Sequence, residues 1–192
     1  MAETSALGTV IARPGGERVG VRLRQRWPLA AIQIVRLGPG DDKAPADALG
    51  AALPAMGRSA VSGSGTLLWI GPGRWLTIMP VGAAARTLAV LAELNRTRWA
   101  VEELGSSRCA IRAGGPMAAT LLAQGCAVDF HPQVFAIGAV AVTALHHMGV
   151  AIHRLDSDTW DIYVSRSFAR DLWERLCHGA EQFGLAIEPT AP

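Results

Sequence analysis

An α+β fold is what this sequence predicts: a duplicated, ferredoxin-like unit of strand, helix, strand, strand and helix, with mainly antiparallel sheets. Three observations point there. Two apolar strand-like segments end in glycine and proline and lead into short helical runs. Each is followed by a hairpin whose returning strand begins with a tryptophan, and each hairpin runs into a further helical segment. The pattern occurs twice in 192 residues, long enough to bury a real core as one domain or as two fused halves. The division expected is a flexible arm over residues 1–20, a first half over 21–100, a second half over 101–188 and a tail over 189–192.

Taken in order, the arm sets Pro14, Gly15 and Gly16 among small and polar residues and shows neither helical nor strand period. VGVRLRQRWP then alternates Val21, Leu23, Gln25 and Trp27 with Arg22, Arg24 and Arg26, so a strand places three arginines on one face. A solvated face is the plain reading; a docking surface for an acidic partner or an anion is the sharper one. AIQIVRLGP is an apolar strand, and ADALGAALPAM a helix. TLLWIGPGRWLTIMP is a hairpin and GAAARTLAVLAEL the helix after it. The unit restarts with the strand SSRCAIRAGGP. MAATLLAQG follows as a short helix, with Pro116 suited to its first turn and Gly125 to a left-handed cap. VAIHRLDSDTWDIYV repeats the hairpin, with Trp160 where the first has Trp75. In SFARDLWERLCHGA, Ser167 suits an N-cap, and Phe168, Leu172, Trp173 and Leu176 share one face.

Composition bounds the function. Half the residues are apolar and 18% are charged, which excludes a disordered chain and fits one that hides a face against a partner. A net charge of +2 with Lys43 as the single lysine argues against nucleic acid as a partner. Cys109, Cys126 and Cys177 are widely spaced and odd in number, which suits a reducing compartment. MAETSALGTV carries an acid where an export signal needs basic residues, so a cytoplasmic location is expected. Residues 134–153 hold no Asp, Glu, Lys or Arg and approach membrane-spanning length. They also contain Gly138, Gly149, His146 and His147 and alternate at Val140, Val142 and Ala144, so two buried strands joined by a turn are expected and no membrane.

SGSGT and GPGRW look like phosphate loops. The first leads into a strand and the second lies between strands, whereas phosphate cradling uses the N–H groups that open a helix, so both are turns. The stretch QGCAVDFHPQVFAIG, residues 124–138, is the one cluster with chemical potential. A metal reading would use Cys126, Asp129 and His131, with His146, His147 or His153 arriving from the neighbouring hairpin. The tight pairs of a zinc site are missing, and His146 and His147 on a strand would point to opposite faces. A Cys–His nucleophile and base would need an oxyanion loop and a third orienting group. The structural reading makes the stretch a connection: Asp129 bonds its own backbone in a turn, His131 before Pro132 is extended, and Cys126 packs. No catalytic, cofactor-binding or metal residue is assigned in this chain.

The run from Arg108 to Leu176 also resembles the gamma subunit of heterotetrameric sarcosine oxidase. The strand ending in Gly-Pro, the GC and D-x-HP connection with its following F-x-x-G, the SRSFARDLW helix start and, upstream, GPGRWL carry the resemblance. It extends over roughly Arg22 to Gly184, leaving out the arm and the EPTAP tail. ELGSSR departs from it, since the family more often has an acid, one residue and a serine before the arginine. The resemblance implies the folate-binding-domain fold of glycine-cleavage aminomethyltransferase, shortened, in a chain without catalytic residues. It implies alpha, beta and delta subunits as partners. FAD, FMN, NAD, tetrahydrofolate and zinc would lie on those subunits, in a complex that oxidises sarcosine to glycine and hydrogen peroxide with capture of 5,10-methylenetetrahydrofolate. A free-standing folate-binding protein or aminomethyltransferase is the alternative, as is the same subunit of a complex acting on another N-methyl amino acid.

Overall fold

The computed structural model describes residues 5–39, 42–63, 65–96 and 98–192. The chain divides into two compact units, Pro28–Gly105 and the combination of Met1–Trp27 with Ser106–Pro192. The expected halves began at residue 21, but the strand β1 (Val21–Arg26) pairs antiparallel with β7 (Arg108–Gly114), so it belongs with the C-terminal residues.

In the unit Pro28–Gly105 the order is β2 (Ala30–Arg36), α1 (Lys43–Leu49), β3 (Ser59–Ser62), β4 (Gly65–Gly71), β5 (Arg74–Met79), α2 (Val81–Ala92) and β6 (Trp99–Glu103). The sheet runs β3-β4-β5-β2-β6 with every pairing antiparallel. Strand alternation puts Ala30, Ile32 and Ile34 of β2 into one core with Leu67, Trp75, Met79 and Leu91. Each fully buried aliphatic side chain contributes about 1.5–3 kcal/mol. The GPGRW turn is a turn: it joins β4 to β5 by way of Pro72 and Gly73, whose φ of +65° a β-carbon would resist. Two features differ from expectation. Helix α1 stops at Leu49, because Gly50 adopts a left-handed cap with φ +64°, and the edge strand β3 is too short to show a period.

The other unit repeats the plan as β7, α3 (Ala118–Ala123), β8 (Val140–Leu145), β9 (Met148–Arg154), β10 (Thr159–Ser165), α4 (Ala169–Glu181) and β11 (Leu185–Ile187). Its sheet order is β11-β1-β7-β10-β9-β8, the first unit's order with β1 inserted between β7 and β11. Trp160, Ile162 and Val164 of β10 enter the core with Leu172, Leu176 and Ala180 of α4. Residues 134–153 contribute the β8–β9 hairpin, as expected; among the described residues no helix is long and apolar enough to cross a membrane.

Several local expectations change. Helix α3 begins at Ala118 and α4 at Ala169, after a single 3-10 turn Arg166–Phe168, so Ser167 caps nothing. Phe168 is half exposed, and Ala169 takes its place on the buried stripe. The described part of the arm is tied down: Ser5 hydrogen-bonds Gln25, Arg13 bridges to Ile187, and Gly20 N–H donates to Phe183 O. The tail continues beside β1, with Ala191 N–H donating to Gln25 O and Trp27 N–H to Ala191 O. These are irregular segments held by a few isolated hydrogen bonds, which leave no periodic trace in sequence.

Candidate functional site

The connection of residues 124–138 is shaped from its own residues outward. Asp129 Oδ1 accepts the N–H of His131 at 2.8 Å, and His131 Nδ1 accepts the N–H of Gln133 at 3.3 Å, so both side chains serve consecutive turns on an exposed surface. Phe130 and Phe135, between and after them, turn inward. Their ring centroids lie 5.6 Å apart and 5.2 and 5.4 Å from Trp160, an edge-and-tilt trio that adds about 0.5–1.5 kcal/mol per pair beyond burial. Arg154, 4% exposed, places its guanidinium 5.2 Å from the Trp160 centroid. It donates to the carbonyls of Phe135 (2.6 Å), Asp156 (3.0 Å) and Ser157 (2.7 Å). One buried cation thus ties the connection to the β9–β10 turn.

Among the described residues the histidines and Cys126 do not form a metal-binding group. His146 and His147 have φ of +48° and +71° and form the two-residue turn between β8 and β9, rather than lying on opposite faces of a strand. The His146 ring fills the space over Gly125, where a β-carbon would sit 2.5 Å from two ring atoms, and His146 N–H donates to Gly125 O. That close approach explains Gly125, which is not the left-handed cap; α3 closes through Gln124 in right-handed conformation. Burial, reinforced by Arg175, holds the His146 imidazole below its ordinary pKa. Cys126 Sγ lies 3.7 Å from Thr143 Oγ1. Among the described residues no group of three or more His, Cys, Asp or Glu is placed to hold a metal ion. Cys109 and Cys177 are pushed up to about 11 by burial, so both are thiols at neutral pH.

A second polar cluster lies on the face of the six-stranded sheet opposite Trp160. The register sets Arg24, Arg112, Asp161 and His153 side by side on β1, β7, β10 and β9. Asp161 is fully buried. Arg26 Nη1 donates to it at 2.6 Å, Arg112 grips both oxygens at 2.7 and 2.9 Å, and the Tyr163 hydroxyl donates at 3.3 Å. Burial and the Asp161 charge raise the Tyr163 pKa far above the ordinary phenol, and burial lowers that of His153. The expected arginine face therefore exists on β1, but its members are engaged: Arg26 by Asp161, and Arg22 and Arg24 more loosely by Glu188, each at 3.9 Å. Arg112, Asp161 and Glu188 were invisible as partners in sequence, because pairing across strands depends on a register that only the sheet supplies.

This duplicated architecture shares its fold with a glycine-cleavage aminomethyltransferase. Aminomethyltransferase T of the glycine cleavage system from Bartonella henselae matches with a TM-score of 0.68 at 19% identity, over 90% of this chain and 48% of that one, a likeness of fold. Heterotetrameric sarcosine oxidase from Corynebacterium sp. U-96 contains a chain with a TM-score of 0.78 at 28% identity, covering 88% of this chain and 87% of that one. Sarcosine oxidase subunit gamma from Corynebacterium sp. strain P-1 is 32% identical over 195 residues, spanning 100% of this chain and 89% of the relative. Its counterpart from Arthrobacter sp. is 30% identical over 149 residues, 76% of this chain and 73% of the relative. The model of the sarcosine oxidase gamma subunit family matches residues 38–181, and this chain belongs to that family.

Proposed function

We propose that the chain is a non-catalytic gamma subunit of a heterotetrameric sarcosine oxidase, assembling in the cytoplasm with alpha, beta and delta subunits. Those subunits carry FAD, FMN, NAD, tetrahydrofolate and zinc, and the complex oxidises sarcosine to glycine and hydrogen peroxide, with the one-carbon unit captured as 5,10-methylenetetrahydrofolate. The observation that carries this reading is end-to-end similarity to a gamma subunit, 100% of this chain against 89% of the relative. The geometry supports the non-catalytic part. Asp129 and His131 are committed to turns, His146 and His147 to a hairpin bend, and Arg154 to carbonyls, so the chemically suggestive cluster holds a fold together.

Reconstitution tests it. The other subunits, expressed with and without this chain, are expected to form a stable complex with full sarcosine turnover only when it is present, while the isolated chain is colourless. Normal assembly and turnover in its absence, together with one-carbon transfer to tetrahydrofolate by this chain alone, would replace the subunit reading with that of a free-standing aminomethyltransferase.

A further inference from the structure

We propose that Arg22, Arg24 and Arg112 form a binding pocket for a small oxyanion, a carboxylate or a phosphate. A cavity of about 200 Å³ opens on the polar face of the six-stranded sheet, walled by these three arginines with Asp158, Thr159 and Glu188. Its floor is Gly114, which stands between Arg22 and Thr159 in the strand register. A β-carbon there would meet nothing closer than 3.9 Å, so the missing side chain leaves room for a ligand rather than for packing. The volume is below the 300–1,000 Å³ typical of drug-sized ligands and suits an anionic head group.

The donors are only partly used. Arg112 commits Nε and Nη2 to Asp161, leaving Nη1 outside that pair. Arg22 Nε and Arg24 Nη1 each stand 3.9 Å from a Glu188 oxygen, within ion-pair range but beyond a hydrogen bond. Arg24 Nε is buried and, among the described residues, makes no hydrogen bond, a group that calls for a partner. Four guanidinium groups, counting Arg26, face the carboxylates of Asp158, Asp161 and Glu188, so one positive charge remains in excess. Guanidinium forks match carboxylate and phosphate oxygens in the same bidentate way. Glu188 rests where such a ligand would sit and acts as an internal competitor, displaced when the ligand enters.

The experiment uses the full chain, titrated calorimetrically with sodium succinate and, separately, with inorganic phosphate at constant ionic strength, so that screening does not change. Saturable binding is expected from at least one, and the two arms show which oxyanion is preferred. Losing one charge-assisted hydrogen bond in Arg22→Gln weakens binding about tenfold or more. Glu188→Gln removes the competitor and strengthens binding several-fold, an effect of opposite sign that misfolding does not produce. Both side chains are partly exposed, at 49% and 39%, and both variants are expected to retain the far-ultraviolet spectrum of the parent. Failure of both anions to saturate, or saturable binding that neither substitution changes, overturns the proposal. The isolated chain is the sample, so such a failure leaves the assembly reading intact.

Discussion

Replacing Asp161 with asparagine tests whether the buried ion cluster holds the six-stranded sheet together. The substitution conserves shape and removes one charge from a side chain that is fully buried. Arg26 and Arg112, only 16% and 25% exposed, then face each other across a neutral amide. Breaking a buried pair by removing one partner costs about 3–5 kcal/mol. Here the asparagine oxygen, in the place of Oδ2, still accepts two of the four donated hydrogen bonds and the arginines keep some solvent, which brings the expected loss to about 2–4 kcal/mol. For a chain of this length each kcal/mol lowers the melting temperature by about 2–4 °C, so a fall of about 5–15 °C is expected. Thermal and urea unfolding followed by far-ultraviolet circular dichroism measure the two quantities, with amide exchange of β7 and β10 resolving whether the loss lies in this sheet. Arg112→Gln in the same background removes one of the two uncompensated cations, so the double variant should be less destabilised than the sum of the single ones. A change in Asp161→Asn below about 0.5 kcal/mol, the range of ordinary surface substitutions, would refute the reasoning.

Two further outcomes follow from the same geometry. Burial lowers the His153 pKa in the folded chain, with Arg112 and Arg26 opposing Asp161. The unfolded chain therefore takes up a proton near pH 6.5 before the folded one does, and stability is complete above that pH and lost as pH falls toward the lowered folded value. Urea midpoints between pH 8 and pH 5 should fall less steeply in His153→Gln, and identical slopes would count against it. Gly125→Ala drives a β-carbon into the His146 ring and should cost about 1–3 kcal/mol; His146→Gly in the same chain removes the clash and adopts the φ of +48° without steric cost, so recovery of the urea midpoint is expected, and its absence would mean another contact governs Gly125.

What the sequence made legible is what depends on local pattern. The repeat was visible because strand alternation, the Gly-Pro ends and the paired Trp75 and Trp160 recur at matched places, and both tryptophans lie in the core of their own unit. The aminomethyltransferase-like fold followed from that repeat together with the resemblance of spaced motifs. Long-range features were not legible. Nothing local in VRLRQR says that it leaves its neighbour β2 to pair with Arg108–Gly114 some eighty residues later. Nor does Gly125 reveal that its partner is the ring of His146, since a glycine at a helix end reads first as a cap. In the connection Cys126, Asp129 and His131 are chemically conspicuous, whereas Phe130 and Phe135, with Arg154 from β9, do the packing.

Insertion of β1 is the difference between the two copies that builds the polar face. In the unit Pro28–Gly105 the last strand, β6, pairs directly with β2, and the sheet closes its order with no strand between them. In the other unit β1 separates β7 from β11, and its alternation brings Arg22, Arg24 and Arg26 beside Arg112, the buried Asp161 and Glu188 of the tail. A strand with three arginines on one face is costly inside a sheet unless carboxylates meet it. Asp161 meets Arg26 and Arg112 closely, whereas Glu188 stands 3.9 Å from Arg22 and Arg24. The inserted strand therefore builds both parts of this face: a tightly bonded ion cluster where the carboxylate is buried, and the proposed oxyanion pocket where it is exposed and loosely held.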